Sequence, residues 1–262
     1  MQRREFNRAL LGGCLGITAG EALAQGGGKK RVLVITQAAG FRHSSIPVAA
    51  QTVQVLGNHT GKWEVVGEAG TPEEVAQAVT ADRLKGIHLV FFANTTGNLN
   101  FTPEGKKAFY DWMEAGGAYA GVHSAGDTFH GDGAYLTLVG GEFQTHGPQR
   151  KVTIYNQSVR HPACAHIGAS FEIFDEIYEF KNWERSRVHV LLTMKKHPQR
   201  DETGDFPVAW TKRYGKGRMF YTSLGHREDV YENPLYLEHL KGGIVWALGM
   251  APGDDRVNNP LI

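Results

Sequence analysis

The chain of 262 residues is poor in sulfur, poor in proline and almost balanced in charge. It holds 2 Cys and 10 Pro. So few cysteines exclude a disulfide-stapled scaffold. A formal net charge of +1 lacks the basic excess that neutralises phosphates, so nucleic acid is not an expected partner. No apolar run reaches the roughly 20 residues of a spanning helix, so no integral membrane segment is expected. What is present is an apolar fraction of 41%, enough to build one sizeable core. There are also 12 His, the side chain that titrates near neutrality and the commonest metal ligand. Their placement is the main functional signal.

Residues 1–24 read as an export signal. Arg3-Arg4-Glu5-Phe6 fits a twin-arginine pattern, a weakly apolar run spans 9–19, and Ala22-Leu23-Ala24 is a small-x-small cleavage site. The expected location is periplasmic or secreted. Leu11-Gly12-Gly13-Cys14 also fits a lipobox, which would make Cys14 a lipidated terminus. Loss of this segment removes Arg3, Arg4, Arg8, Glu5 and Glu21 and brings the formal charge to zero. It also leaves Cys164 single, unable to form an internal bridge. In His161-Pro162-Ala163-Cys164-Ala165-His166 it reads as a small buried hydrophobe, or alternatively as a zinc ligand.

The rest alternates strands with helices. Arg31–Thr36, Trp63–Val66, Ile87–Phe92 and Ala118–Val122 are short apolar runs suited to buried parallel strands. Helical spacing covers Ile46–Leu56. Thr71-Pro72-Glu73-Glu74 and Thr102-Pro103-Glu104 are helix starts, the second helix running to Ala115. After Gly140 strand patterns dominate, at Lys151–Tyr155, Phe171–Phe180, Val188–Met194, Val208–Arg213 and Arg218–Thr222, before a closing helix at Glu238–Leu248. The pattern predicts one α/β domain with a mostly parallel sheet and additional antiparallel strands in the C-terminal half.

In open α/β sheets ligands bind beyond the carboxyl ends of the strands. Three strand ends there carry a histidine: His43, His123 and His226. His146 follows in a loop after Gly140-Gly141-Glu142-Phe143. Gly121-Val122-His123-Ser124-Ala125 has the small-residue pattern of a strand–turn–helix elbow, with His123 at the apex. Ser124, one step on, reads as a helix cap or as a hydroxyl nucleophile needing a neighbouring base.

These segments together resemble the ThuA-like family, of the trehalose-utilisation type, within the class I glutamine-amidotransferase-like fold. The resemblance spans residues 31–250. It rests on Gly40-Phe41-Arg42-His43, on His123-Ser124-Ala125-Gly126-Asp127, and on Leu138 to Phe143 with His146. It rests also on Asp175 to Phe180, Pro207 to Trp210, and Gly215 to His226. It implies a flavodoxin-like three-layer sandwich and a small-molecule sugar substrate, a keto-glycoside or related sugar. Amidotransferases carry Cys at the elbow, so glutamine hydrolysis is not expected here.

The chemistry expected is proton abstraction beside a carbonyl, leading to isomerisation, elimination or glycosidic cleavage. His43, His123, His146 and His226 are candidate ligands of a divalent metal, zinc or similar; no nucleotide cofactor is expected. His123, Asp127, Glu176 and Tyr178 are candidate catalytic residues, Glu176 and Tyr178 sharing a face if they lie on one strand. Arg42, Ser124 and Arg227 are candidate substrate contacts. Trp183 and Trp210 either stack on a sugar ring or pack in the core. The alternatives are a non-catalytic carbohydrate-binding domain and a serine hydrolase using Ser124.

Overall fold

The computed structural model describes residues 28–260. The expected export segment 1–24, with Cys14, lies outside the described residues. Among the described residues there are eleven strands and six α-helices. The strands are β1 (Lys30–Ile35), β2 (Trp63–Ala69), β3 (Leu89–Ala93), β4 (Ala118–Val122), β5 (Glu142–His146) and β6 (Arg150–Asn156). They continue with β7 (Ser170–Asp175), β8 (Tyr178–Lys181), β9 (His189–Lys196), β10 (Thr203–Tyr214) and β11 (Gly217–Thr222). The helices are α1 (Ile46–Thr60), α2 (Pro72–Ala78), α3 (Ala81–Leu84), α4 (Pro103–Ala115), α5 (Gly133–Val139) and α6 (Pro234–Ala247).

Nine strands form one sheet in the order β2-β1-β3-β4-β11-β10-β9-β6-β7, and β5 pairs with β8 in a separate ribbon. The five strands from β2 to β11 are parallel, and every pairing from β11 onward to β7 is antiparallel. Their order is that of flavodoxin-like folds, with the switch point between β1 and β3. β3 and β4 are buried at every position, which explains their unbroken apolar runs: helices cover both faces. α1 and α6 pack on one face through Ala49, Val53, Leu56, Leu240 and Ile244. α2 to α5 cover the other through Val75, Leu84, Phe109, Met113 and Leu138. The architecture is therefore a three-layer sandwich extended by an antiparallel wing.

Local chemistry sets the helix ends. Thr71 and Glu74 form a reciprocal capping box at α2, and Thr102 caps α4 through the Gly105 amide. α1 ends where Gly61 turns left-handed, at φ +67°. Among the described residues no helix is long and apolar enough to cross a membrane.

One expectation changes, and two open readings are decided. Phe171–Phe180 is not one strand: β7 ends at Asp175, Glu176 and Ile177 turn, and β8 begins a different sheet. Trp210 is fully buried, with its indole N–H donated to the Val139 carbonyl at 2.7 Å, and so serves the core. Cys164 is also buried, packed in the core under α6, and burial pushes its thiol pKa up.

Candidate functional site

The site lies at the carboxyl ends of the parallel strands. His43 follows β1, His123 follows β4, and His226 follows β11. Glu176 joins them from the turn between β7 and β8. One ligand atom from each of these four lies within 4.8 Å of the others.

His123 sits on the elbow at φ +45°, a left-handed conformation that is unfavourable for a residue with a Cβ. The surroundings hold it there. Its carbonyl accepts a hydrogen bond from the Tyr221 hydroxyl at 2.6 Å, and its Nδ1 lies 2.9 Å from the Ser223 carbonyl. The turn fits only because its neighbours are small: a Cβ on Gly126 would come within 2.6 Å of the Tyr221 hydroxyl. The Ser223 carbonyl can only accept, so His123 Nδ1 carries the proton and Nε2 keeps its lone pair.

That Nε2 lies 3.3 Å from His226 Nδ1 and 3.5 Å from Glu176 Oε1. His226 Nδ1 is 3.4 Å from the same carboxylate oxygen. The ring centroids of His43 lie 4.8 Å from His123 and 5.3 Å from His226. Burial, with His123 and His226 beside it, lowers the His43 pKa to about 3. Burial and His123 likewise lower that of His226. Both are neutral at neutral pH, as ligation requires. Burial works against the charge of Glu176, but the surrounding imidazoles outweigh it and hold its pKa low. Lone pairs facing a carboxylate repel unless a proton or cation lies between. Three imidazoles and one carboxylate are a donor set suited to zinc or a similar divalent ion, so the residues fit such a group.

The loop carrying His226 is held from two sides. The Gly225 amide donates to Asp175 Oδ2 at 2.7 Å, and the Arg227 amide reaches Asp175 Oδ1 at 3.3 Å. The Gly225 carbonyl accepts from Asn94 Nδ2 at 3.0 Å and from Ser45 Oγ at 3.2 Å. Asp175 is fully buried, and burial raises its pKa to about 6. The sequence reading missed both Asp175 and Asn94. A signal for Asn94 existed: β3 runs into Ala93-Asn94, and Asn tolerates the left-handed φ of +48° found there.

The other expected residues fall around this group. His146 is not one of the four: Glu176 takes that place. His146 Nδ1 lies 3.0 Å from Glu176 Oε2 and 2.9 Å from the Gly147 carbonyl. Both partners accept, so Nδ1 carries the proton; the side chain is 44% exposed. Tyr178 packs on His123 with ring centroids 4.2 Å apart and planes tilted by 41°, and is 4% exposed. Its hydroxyl has no hydrogen-bond partner among the described residues. Burial first, then Glu176, Asp127 and Asp175, raise its pKa, so it stays protonated. Glu176 and Tyr178 reach the same site, but through the turn and the β5–β8 ribbon, where His146 pairs with Tyr178.

Asp127 turns to His130, whose Nδ1 lies 3.1 Å from Glu142, and stands outside the group. Ser124 Oγ lies 3.2 Å from His43 Nδ1, and the residue is fully buried behind the group. Arg227 is engaged by Asp229 and by Gln149. Arg42 is exposed and has no ion-pair partner among the described residues.

Fold and site define an α/β three-layer protein with a histidine–glutamate group at the carboxyl edge of its parallel strands. The family ThuA, described as trehalose utilisation, matches residues 31–247, and the chain belongs to it. A ThuA-like protein from Bacteroides uniformis is similar over 87% of this chain and 94% of its own, at 21% identity and a TM-score of 0.68. One from Parabacteroides merdae is similar over 90% and 93%, at 16% identity and a TM-score of 0.70. At those identities the likeness concerns the fold. No curated protein matches the chain by sequence.

Proposed function

We propose that this ThuA-family protein is an exported enzyme of keto-sugar or glycoside metabolism, working through a divalent ion held by His43, His123, His226 and Glu176. The observation that carries the reading is the convergence of three imidazoles and one carboxylate within 4.8 Å. The family description supports the sugar, and Arg3-Arg4 with the small-x-small site supports export.

The bound ion supplies a Lewis acid for a substrate oxygen. The chain supplies the proton chemistry. With Nδ1–H held by Glu176 and Gly147, His146 keeps its lone pair on Nε2, on a side chain that is 44% exposed. This is the arrangement of a base oriented by a carboxylate. It takes the proton from carbon beside the substrate carbonyl. Tyr178, kept protonated and with its hydroxyl unengaged among the described residues, donates a hydrogen bond to the oxygen where negative charge gathers.

Elemental content of natively purified protein, with assays on 3-keto-disaccharides before and after metal removal, tests the reading. Roughly one ion per chain and turnover that follows the metal support it. Metal-free protein that converts the substrate equally well overturns the metal role. Saturable binding of the parent sugar with no product identifies a carbohydrate-binding domain instead.

A further inference from the structure

Phe41 is the most exposed large apolar side chain among the described residues, at 69%. A lone exposed apolar residue is ordinary on a protein surface. This one is held rigidly, and against the site. Its ring meets His43 edge-on, with centroids 4.8 Å apart and planes at 77°. Thr96 fixes the backbone on either side of it. The Thr96 hydroxyl accepts from the Gly40 amide at 3.1 Å and donates to the Phe41 carbonyl at 2.8 Å. The Thr96 carbonyl accepts from the Ala39 amide at 2.9 Å. The two loops touch so closely that a Cβ on Gly97 would come within 2.9 Å of the Gly40 nitrogen. A ring presented by a clamped loop needs little ordering when a ligand arrives. Next to it is Arg42, the exposed guanidinium without a partner among the described residues.

We infer that Phe41 is the stacking platform for a pyranose ring lying over the histidine–glutamate group, with Arg42 donating to its oxygens. A pyranose has a face of C–H groups bordered by hydroxyl or keto oxygens. A flat aromatic takes the first, and a planar donor takes the second. The two tryptophans of the sequence reading are less suited. Trp210 is fully buried, and Trp183 packs against it with ring centroids 6.0 Å apart. The inference rests on the sugar reading above and adds the residue that selects a ring.

The test uses the full zinc-loaded protein. Initial rates are measured with a 3-keto-disaccharide, and trehalose binding is followed by calorimetry as a ground-state probe. Phe41→Ala is expected to raise KM and the trehalose Kd about tenfold, with the loss falling on KM rather than kcat. Zinc content and melting temperature stay at wild-type values, and Phe41→Trp restores KM. An unchanged KM and Kd in Phe41→Ala, or a kcat loss that tracks lost zinc, overturns the platform while leaving the sugar reading intact. Wild-type protein that neither binds nor converts either sugar overturns both.

Discussion

Two sets of histidines in this chain do opposite work. In His43, His123 and His226 ring nitrogens converge on one another and on Glu176. In His161, His189 and His239 one ring nitrogen of each meets the backbone, and the second nitrogen of His189 meets Ser158 Oγ at 2.7 Å. His239 Nδ1 meets the Ala163 carbonyl at 2.8 Å, and His189 Nδ1 meets the Arg256 carbonyl at 2.6 Å. His161 Nδ1 accepts the Ala163 amide at 3.2 Å. Burial lowers the pKa of both His161 and His239 to about 3, as it does for His43. Neutral buried imidazole is thus common to both regions. What separates them is a shared carboxylate and a common centre, so the first set is equipped for a cation and the second for packing.

Substitutions should separate the two regions. The largest effect is expected from His123→Ala, which removes the central ligand: zinc binding should fall by about a thousandfold or more and turnover with it, by titration against a chelator. Unchanged zinc content would place the ion elsewhere. His146→Ala comes next. Removal of the base should lower kcat by about a hundredfold or more, while zinc affinity falls only about tenfold, because His146 orients Glu176 rather than ligating. An equal loss in both would make it a ligand after all.

His239→Ala should reverse the pattern. A fully buried ring is lost, so stability should drop by about 2–4 kcal/mol in urea melts, with zinc binding by the folded protein intact. A zinc loss there would erase the distinction between the sets. A pH titration tests both regions together. His43, His161 and His239 have folded pKa values below the unfolded value, so the unfolded chain binds more protons between about pH 3 and 6.5. Stability is full above pH 6.5 and falls as pH drops through that window, by about 1.4 kcal/mol per pH unit for each such proton. Asp175, raised to about 6, acts in the opposite sense by one proton, so the three histidines set the sign. A urea midpoint that is level from pH 7 to 5 would count against neutral burial in both regions.

Much of the fold was legible because parallel strands covered on both faces must be apolar throughout. β1, β3 and β4 read directly, as did the caps of α2 and α4. Strand ends then pointed to His43, His123 and His226. The turn that brings Glu176 into the group was not legible. Asp175 and Glu176 sit in a run that alternates like a single strand, and nothing local says that the chain leaves one sheet there for another. His146 was legible as a neighbour of the site but not as the partner of Glu176, since cross-strand register between β5 and β8 arises only on pairing.

The sequence by itself determined the layers, the elbow with histidine at its apex, and the absence of a thiol there. These follow from local sterics and from hydrophobic pattern, which act over a few residues. Only the tertiary structure decided which histidines share a carboxylate. That choice depends on contacts across a hundred residues or so, such as His226 on His123, set by sheet order and by the buried bracket of Asp175 and Asn94.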